Sequence, residues 1–166
     1  MQAEYLDLDK EAVEHALKIV NNVLTRAKKQ AEKQVKKEGK SEQELKKSIQ
    51  NVQQKWIETL ERLVTKTLGV LQEQGVYAML LFLFSRTGDE KEVAPIIREQ
   101  LYESVKKLPN FTNLEIDDES KSVLNIYTKN VLSSIDILLL VRDLYEQTLI
   151  YARYAAKAEG NKEKGG

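Results

Sequence analysis

The architecture is predicted first of all by one long segment, VEHALKIVNNVLTRAKKQAEKQVKKEG, which covers residues 13 to 39. Its apolar residues recur at steps of three and four, which places them on one face of an α-helix. They are Val13, Leu17, Val20, Leu24, Ala27, Ala31 and Val35. Asp9 has the side chain of a helix N-cap, and Gly39 is the residue type that most often ends a helix. The segment therefore predicts one helix of about 29 residues.

The segment after Gly39 repeats this pattern. Ser41 and Glu44 have the spacing of a capping box, and apolar residues then follow at helical steps from Leu45 to Leu68. Two long helices joined by so short a connection pack antiparallel. We therefore predict an N-terminal helical hairpin.

The rest of the chain also reads as helix, because only four glycines and two prolines interrupt residues 1–159. Gly69 and Gly75 predict a kink or short break between them, followed by a buried central helix over 76–84. A further helix is predicted from Asp89 to about 108, with Pro95 near its start or bending it. The last two helices are predicted from Asp117 or Asp118 to about Asn130, and from Ser133 or Ser134 to about 159. Residues 109–118 are the one long loop, and weak alternation over 111–116 leaves a short edge strand open. We expect an all-α, single-domain bundle of about five or six helices over residues 1–160, and a disordered polar tail over 161–166.

Composition excludes many function classes. The chain has 166 residues, a formal net charge of zero, no cysteine and one histidine. The absence of cysteine removes disulfides, thiolate nucleophiles and cysteine-containing zinc sites, and it suits a reducing cytoplasm. No signal-peptide pattern occurs at the start, and the longest apolar stretches fall far short of the roughly 20 residues that span a bilayer. A cytoplasmic protein with no membrane partner is expected.

Catalytic motifs are missing as well. The sequence has no Gly-rich phosphate loop, no GxSxG elbow and no HExxH. His15 is predicted on the outer half of the first helix among polar neighbours, where metal binding would need carboxylates alone to assist it. Asp117, Asp118 and Glu119 could hold a divalent ion, but capping of a helix start explains them more simply. We therefore expect no enzyme, no cofactor, no metal and no small-molecule substrate.

The charge of the chain is unevenly placed. Residues 18–55 contain eleven basic and four acidic side chains, an excess of seven positive charges in a neutral chain. At about 100° per residue, the basic residues of the first helix fall in one half of its cylinder, opposite the apolar face. Past Arg26 the apolar side thins to Ala27, Ala31 and Val35, so the hairpin tip is expected to project beyond the core. Such a stripe is either a solvated face or a surface that binds a polyanion without reading bases. The hairpin candidates for RNA binding are Lys18, Arg26, Lys28, Lys29, Lys33, Lys36, Lys37, Lys46 and Lys47.

The last helix carries a smaller group of cations. Arg142, Arg153 and Lys157 fall within about 60° of one another in projection and could extend the basic surface. For Lys157, attraction to the C-terminal end of the helix dipole is an equally simple explanation. The tyrosines of this helix could stack on bases, but at helical spacing they more often pack. They are Tyr145, Tyr151 and Tyr154.

Two segments carry a family resemblance. The segment LGVLQEQGVYAMLLFL, residues 68–83, resembles the small, all-helical subunit of the type III-B (Cmr) CRISPR RNA-guided effector complex. The run from LVRDLY, residues 140–145, to AAKAEG, residues 155–160, looks like the last helix of that family. Small subunits of type III-A and archaeal type I-A complexes have similar size and helicity, so the subtype stays open.

The resemblance implies a non-catalytic subunit that acts in antiviral defence. It implies stacking beside the backbone subunits of the complex and binding to guide and target RNA, with Arg153 and Lys157 as the C-terminal contacts. The partners would be RNA and the other subunits. Self-stacking stays open, because sequence does not separate an interface stripe from a core stripe. The competing interpretation is an adaptor whose basic hairpin docks on an acidic protein.

Overall fold

Residues 7–39, 41–108 and 111–164 are described by the structure, a computed structural model. Within these ranges the chain forms six helices: α1 (Leu8–Glu38), α2 (Glu42–Gln74), α3 (Val76–Phe84), α4 (Glu90–Val105), α5 (Ser120–Asn130) and α6 (Ile135–Lys164). No strand occurs in the described ranges, which confirms the all-α fold class. The segment 111–116, for which an edge strand was left open, is turn and loop.

The N-terminal hairpin is held by caps at both of its helix starts. Ser41 and Glu44 form the predicted capping box: Glu44 Oε2 accepts from Ser41 N at 2.8 Å, and Glu44 N donates to Ser41 Oγ at 3.4 Å. The N-cap of α1 is Asp7, whose side chain accepts from Lys10 N at 3.1 Å, so the prediction of Asp9 was wrong by two residues. Asp9 instead accepts a hydrogen bond from the Tyr151 hydroxyl of α6.

The predicted interruption between α2 and α3 is confined to one residue. Gly75 has φ 90° and ψ −177°, a conformation that side-chain-bearing residues avoid, and it separates the two helices. Gly69 lies inside α2 without a break, contrary to the prediction. A single glycine costs a helix only about 1 kcal/mol, and burial of the neighbouring Leu68 and Leu71 holds α2 in place there.

The body of the protein is built around α1, α2 and α6. α6 runs antiparallel to α2, because Arg142 donates to Gln72 O at 3.2 Å near one end and Gly160 lies beside Ile57 near the other. All six helices contribute buried residues to one hydrophobic core. Three of its fully buried members are Ile19 of α1, Leu60 of α2 and Leu144 of α6.

α3 is not the fully buried central helix that its composition predicts. It buries Val76, Met79, Leu80 and Leu83, whereas Leu81 is 46% exposed. This nine-residue helix packs by one side on α2, α4 and α5, so its other side meets solvent. Because α3 is apolar on all sides, its sequence could not indicate which side would be exposed.

α4 and the loop that follows it are tied together by a buried arginine. Arg98 donates to both carboxylate oxygens of Asp118, at 2.7 and 2.6 Å, and to Leu83 O at 3.0 Å. Because this pairing occupies Asp118, the residue preceding α5 is Glu119, without a side-chain cap, and the predictions of Asp117 and Asp118 were wrong. Pro95 lies inside α4, which ends at Val105.

α6 starts and ends close to the predicted positions. Ser134 O accepts from Leu138 N at 2.9 Å, and its Oγ lies 3.5 Å from Ile137 N, so Ser134 rather than Ser133 precedes the helix. The helix continues to Lys164, four residues into the segment predicted as a disordered tail. Residues 165–166 of that tail lie outside the described residues.

The outer part of the hairpin projects from the body. We call residues 31–39 and 41–54 the hairpin arm. At the base of the arm, Gly160 of α6 lies beside Gln54 of α2. Also at the base, Gln30 of α1 lines a cleft together with Gly88, which lies just before α4. None of the described residues of the arm belongs to the main core or packs against it. Ala31 and Val35 are nevertheless buried. Their cover is α2, the antiparallel partner in the hairpin.

Candidate polyanion-binding surface

The basic residues predicted on the hairpin are all exposed. On α1 most of them occupy the side opposite the buried Ala27 and Ala31, which face α2, whereas Lys28 borders the buried side. We call this set the basic flank: Lys18, Arg26, Lys28, Lys29, Lys33, Lys36 and Lys37. At its centre, Lys29, Lys33 and Lys36 fall within about 60° of one another in projection. Side chains three or four residues apart on a helix are neighbours at about 5–6 Å, so these three ammonium groups form a row.

Few of these cations are neutralised by a carboxylate. Arg26 lies 3.3 Å from Glu99, and on α2 Lys46 lies 3.4 Å from Glu42. Both pairs are exposed, and exposed ion pairs are worth only about 0–1 kcal/mol. The remaining hairpin candidates make no ion pair with any residue in the described ranges: Lys18, Lys28, Lys29, Lys33, Lys36, Lys37 and Lys47.

The local charge of α1 stays positive when its own carboxylates are counted. Between Arg26 and Glu38 the helix carries six basic side chains and two acidic ones, Glu32 and Glu38. The flank is thus a concentrated positive field on a chain of zero net charge, which attracts anions to this part of the molecule first.

The structure does not join the α6 cations to the basic flank. Arg142 is half-buried, donates to Gln72 O at the end of α2, and keeps its Nε buried with no hydrogen-bond partner in the described parts of the chain. Arg153 and Lys157 are exposed. In projection they lie nearer to Arg142, which contacts α2, than to Tyr151, which contacts α1. The predicted cations therefore form two separate groups.

His15 differs from its predicted setting. It is only 4% exposed, and its Nδ1 lies 2.9 Å from Gln100 Oε1 of α4. Its Nε2 lies 3.6 Å from Glu11 Oε2, and Lys107 donates to the other oxygen of that carboxylate. The prediction of an outward-facing histidine was wrong because α4 covers this side of α1. The group links α1 to α4.

The aromatic residues of α6 have three different settings. Tyr145 is fully buried and its hydroxyl pairs with that of Tyr127, while burial raises the pKa of both phenols. Tyr102 lies against Tyr127 and donates to Asp118 at 3.3 Å. Tyr151 donates to a carboxylate of α1, and Tyr154 is 63% exposed. Tyr154 is thus the one of the three predicted α6 tyrosines whose ring is open to a partner.

No described group of three or more histidine or acidic side chains could hold a metal ion. A shallow cleft of about 570 Å³ lies along the solvent side of α2 between Glu58 and Lys66. None of the described helices has the length and apolar character needed to cross a membrane.

The fold and the surface together define a class, an all-helical bundle with a projecting basic hairpin. Comparison with protein-family models, with curated proteins and with solved structures gives no match for this chain. The likeness to small CRISPR effector subunits therefore rests on the sequence segments quoted above and remains a prediction.

Proposed function

We propose that this protein is a non-catalytic RNA-binding subunit that holds a strand by its phosphates along the basic flank. One observation carries the proposal: the six lysines of that flank are exposed and make no ion pair with any described residue. A cluster of unpaired ammonium groups on a neutral protein is stabilised by a phosphate backbone, because each contact releases a bound counterion.

The row formed by Lys29, Lys33 and Lys36 suits a strand better than a compact anion. Three neighbouring ammonium groups along a helix can follow three phosphates in series, with no group placed to read a base edge. Binding of this kind depends on salt and hardly at all on sequence.

The hairpin presents this row on a stiff support. α1 is continuous through the flank, and the capping box of Ser41 and Glu44 fixes the start of α2 across the turn. A cation row on a preformed helix loses little conformational freedom on binding, which favours affinity.

The setting that we propose follows the sequence resemblance. The protein would be the small subunit of a type III-B CRISPR ribonucleoprotein, lie beside the other subunits in the cytoplasm and contact guide and target RNA in antiviral defence. The small subunits of type III-A and type I-A complexes would use the same surface chemistry. Copurification with guide RNA and several other subunits tests this setting.

The direct test is a titration of single-stranded RNA at several salt concentrations. The triple variant Lys29→Glu, Lys33→Glu, Lys36→Glu should bind roughly 100-fold more weakly near 0.1 M salt, and the slope of log K against log salt should fall by about 2. The matched control is Lys91→Glu, Lys121→Glu, Lys129→Glu, which makes the same charge change at exposed lysines outside the hairpin. The control should stay within about threefold of the unmodified protein.

Equal losses in both triple variants would mean that net charge alone governs binding, and RNA affinity that does not change in the hairpin variant would refute the proposal. In the second case the flank would serve the adaptor function, docking on an acidic protein, and the same hairpin variant would lose that protein partner.

A further inference from the structure

α6 carries an exposed face that no other part of the described chain covers. Leu139 is 49% exposed and Tyr154 is 63% exposed, and Ile150 lies between them, half-buried. At about 100° per residue these three side chains fall within about 60° of one another. Leu139 and Tyr154 face solvent, whereas Ile150 packs in part against the core. Ile135, at 71% exposed, extends the apolar surface toward the start of the helix.

The charges on this face are divided between its two ends. Asp136 and Asp143 lie in the first half, and Arg153 and Lys157 lie in the second half. All four side chains are exposed, and none makes an ion pair with a residue that the structure describes. The face is therefore acidic at one end, basic at the other, and apolar in each half.

Such a face is complementary to itself in one orientation only. When two copies of α6 lie antiparallel and cross between Glu146 and Gln147, Leu139 of each copy meets Tyr154 of the other. Asp136 then lies opposite Lys157, and the acidic half of each helix faces the basic half of its partner. Parallel alignment would instead place like charges opposite each other, which is destabilising.

We propose that a second copy of this chain docks on this face of α6 through a two-fold symmetric, antiparallel helix contact. Each favourable contact occurs twice across a two-fold axis, so every contact contributes twice to the stability of the dimer. The contact buries Leu139 and Tyr154 in both copies, pairs Asp136 of each copy with Lys157 of the other, and brings Asp143 into the half of the contact that holds Arg153 of the partner copy. Since the C-terminal part of α6 lies near the base of the hairpin arm, the two arms of the dimer point in opposite directions.

This inference is independent of the proposed RNA binding. It gives Arg153 and Lys157 a protein partner in place of the RNA contact that the family resemblance implies. The hairpin lysines take no part in it, so failure of either proposal leaves the other standing.

The test is a charge exchange, followed by sedimentation without nucleic acid. One variant carries Asp136→Lys and Asp143→Lys, and the other carries Arg153→Glu and Lys157→Glu. Each alone places like charges opposite each other in the antiparallel dimer, so its dissociation constant should rise by about 30-fold or more. An equimolar mixture of the two should form a heterodimer, because opposite charges then meet along the whole contact. Leu139→Asp should dissociate the dimer, and Lys91→Glu with Lys121→Glu should leave it intact.

Circular dichroism confirms that each variant is folded before it is compared. Three results would overturn the proposal: unmodified protein that stays monomeric up to about 300 µM, a concentration at which even a small interface is populated; a dimer that survives Leu139→Asp or either charge variant; or a mixture of the two charge variants that stays monomeric.

Discussion

The two halves of α1 follow the same apolar period and have different surroundings. In the first half, α4 and α6 both contact the helix, Ile19 and Val23 are fully buried, and the polar Glu11 and His15 are buried as well. In the second half, Ala31 and Val35 are buried outside the main core, on the side of the helix that faces α2. The buried Glu11 and His15 of the first half have polar partners, whereas the lysines of the second half are open.

This difference shows that the apolar period of a helix indicates which face is buried, but it does not indicate how many other helices pack on that face. The size and charge of the residues indicate how many helices pack there. Large apolar residues and buried polar groups mark the half that several helices surround, and alanines backed by lysines mark the half that stands free. The body supplies stability, and the arm supplies an open charged surface.

The largest contrast is expected from one substitution made in each region. Leu60→Ala in the body leaves a cavity in the main core and should lower the free energy of unfolding by about 3 kcal/mol. Leu45→Ala in the arm removes a half-buried side chain that does not touch the main core, and should cost about 1 kcal/mol or less. Urea unfolding of both variants measures the two values. Equal losses would show that the arm belongs to the cooperative core.

Local signals in the sequence were sufficient for most of the fold. The capping box at Ser41 was predicted, the break at Gly75 lies at one end of the predicted interval 69–75, and Ser134 is one of the two predicted starts of α6. All three depend on residues close in sequence. The cap at Asp118 was wrong because Arg98, twenty residues away, pairs with it. Gly69 was misread because packing outweighs the small cost of one glycine in a helix.

The candidate site divides in the same way. The basic flank follows from helical projection alone, since the lysines and the alanines lie on one helix. The separation of Arg153 from that flank depends on which side of α6 meets α2, and the burial of His15 depends on α4. Helix-to-helix orientation has no local signal in the sequence, so neither could be predicted.

A buried polar pair in the body should behave unlike the exposed polar groups of the arm. Tyr127→Phe leaves the Tyr145 hydroxyl buried without its partner, and should cost about 1–3 kcal/mol. The double variant Tyr127→Phe, Tyr145→Phe removes both hydroxyls together and should recover most of that loss. Urea unfolding at neutral pH tests the pair, and a double variant no more stable than Tyr127→Phe would contradict it.

The same pair predicts how stability depends on pH. Burial raises the pKa of Tyr127 and Tyr145 above the ordinary value of 10.0, so the unfolded chain releases these protons first. Their contribution is complete below pH 10 and is lost as pH rises above it, by about 1.4 kcal/mol per pH unit for each phenol. The double variant Tyr127→Phe, Tyr145→Phe lacks both phenols. Its free energy of unfolding should therefore fall less steeply than that of the unmodified protein between pH 10 and pH 11, about the first unit above the onset.

The smallest expected effect concerns the loss of folding stability that repulsion within the basic flank causes. Lys33 has Lys29, Lys36 and Lys37 three or four residues away, and like charges at these spacings each destabilise a helix by about 0.2–0.5 kcal/mol. Lys33→Gln should therefore raise the free energy of unfolding by about 0.6–1.5 kcal/mol at low salt. The gain should vanish near 1 M salt, where screening acts within about 3 Å.

The matched control for this last prediction is Lys47→Gln on the other helix of the hairpin. Lys47 is exposed and without an ion pair to any described residue, but no lysine or arginine lies three or four residues from it in the sequence. Its replacement should leave stability unchanged within about 0.5 kcal/mol. If Lys33→Gln alone raised the free energy of unfolding and also weakened RNA binding, the repulsion between the lysines of the arm would be a cost in stability. That cost would be offset when an anion binds. If Lys33→Gln destabilised the protein, the flank would be a structural surface and the contrast between arm and body would fail.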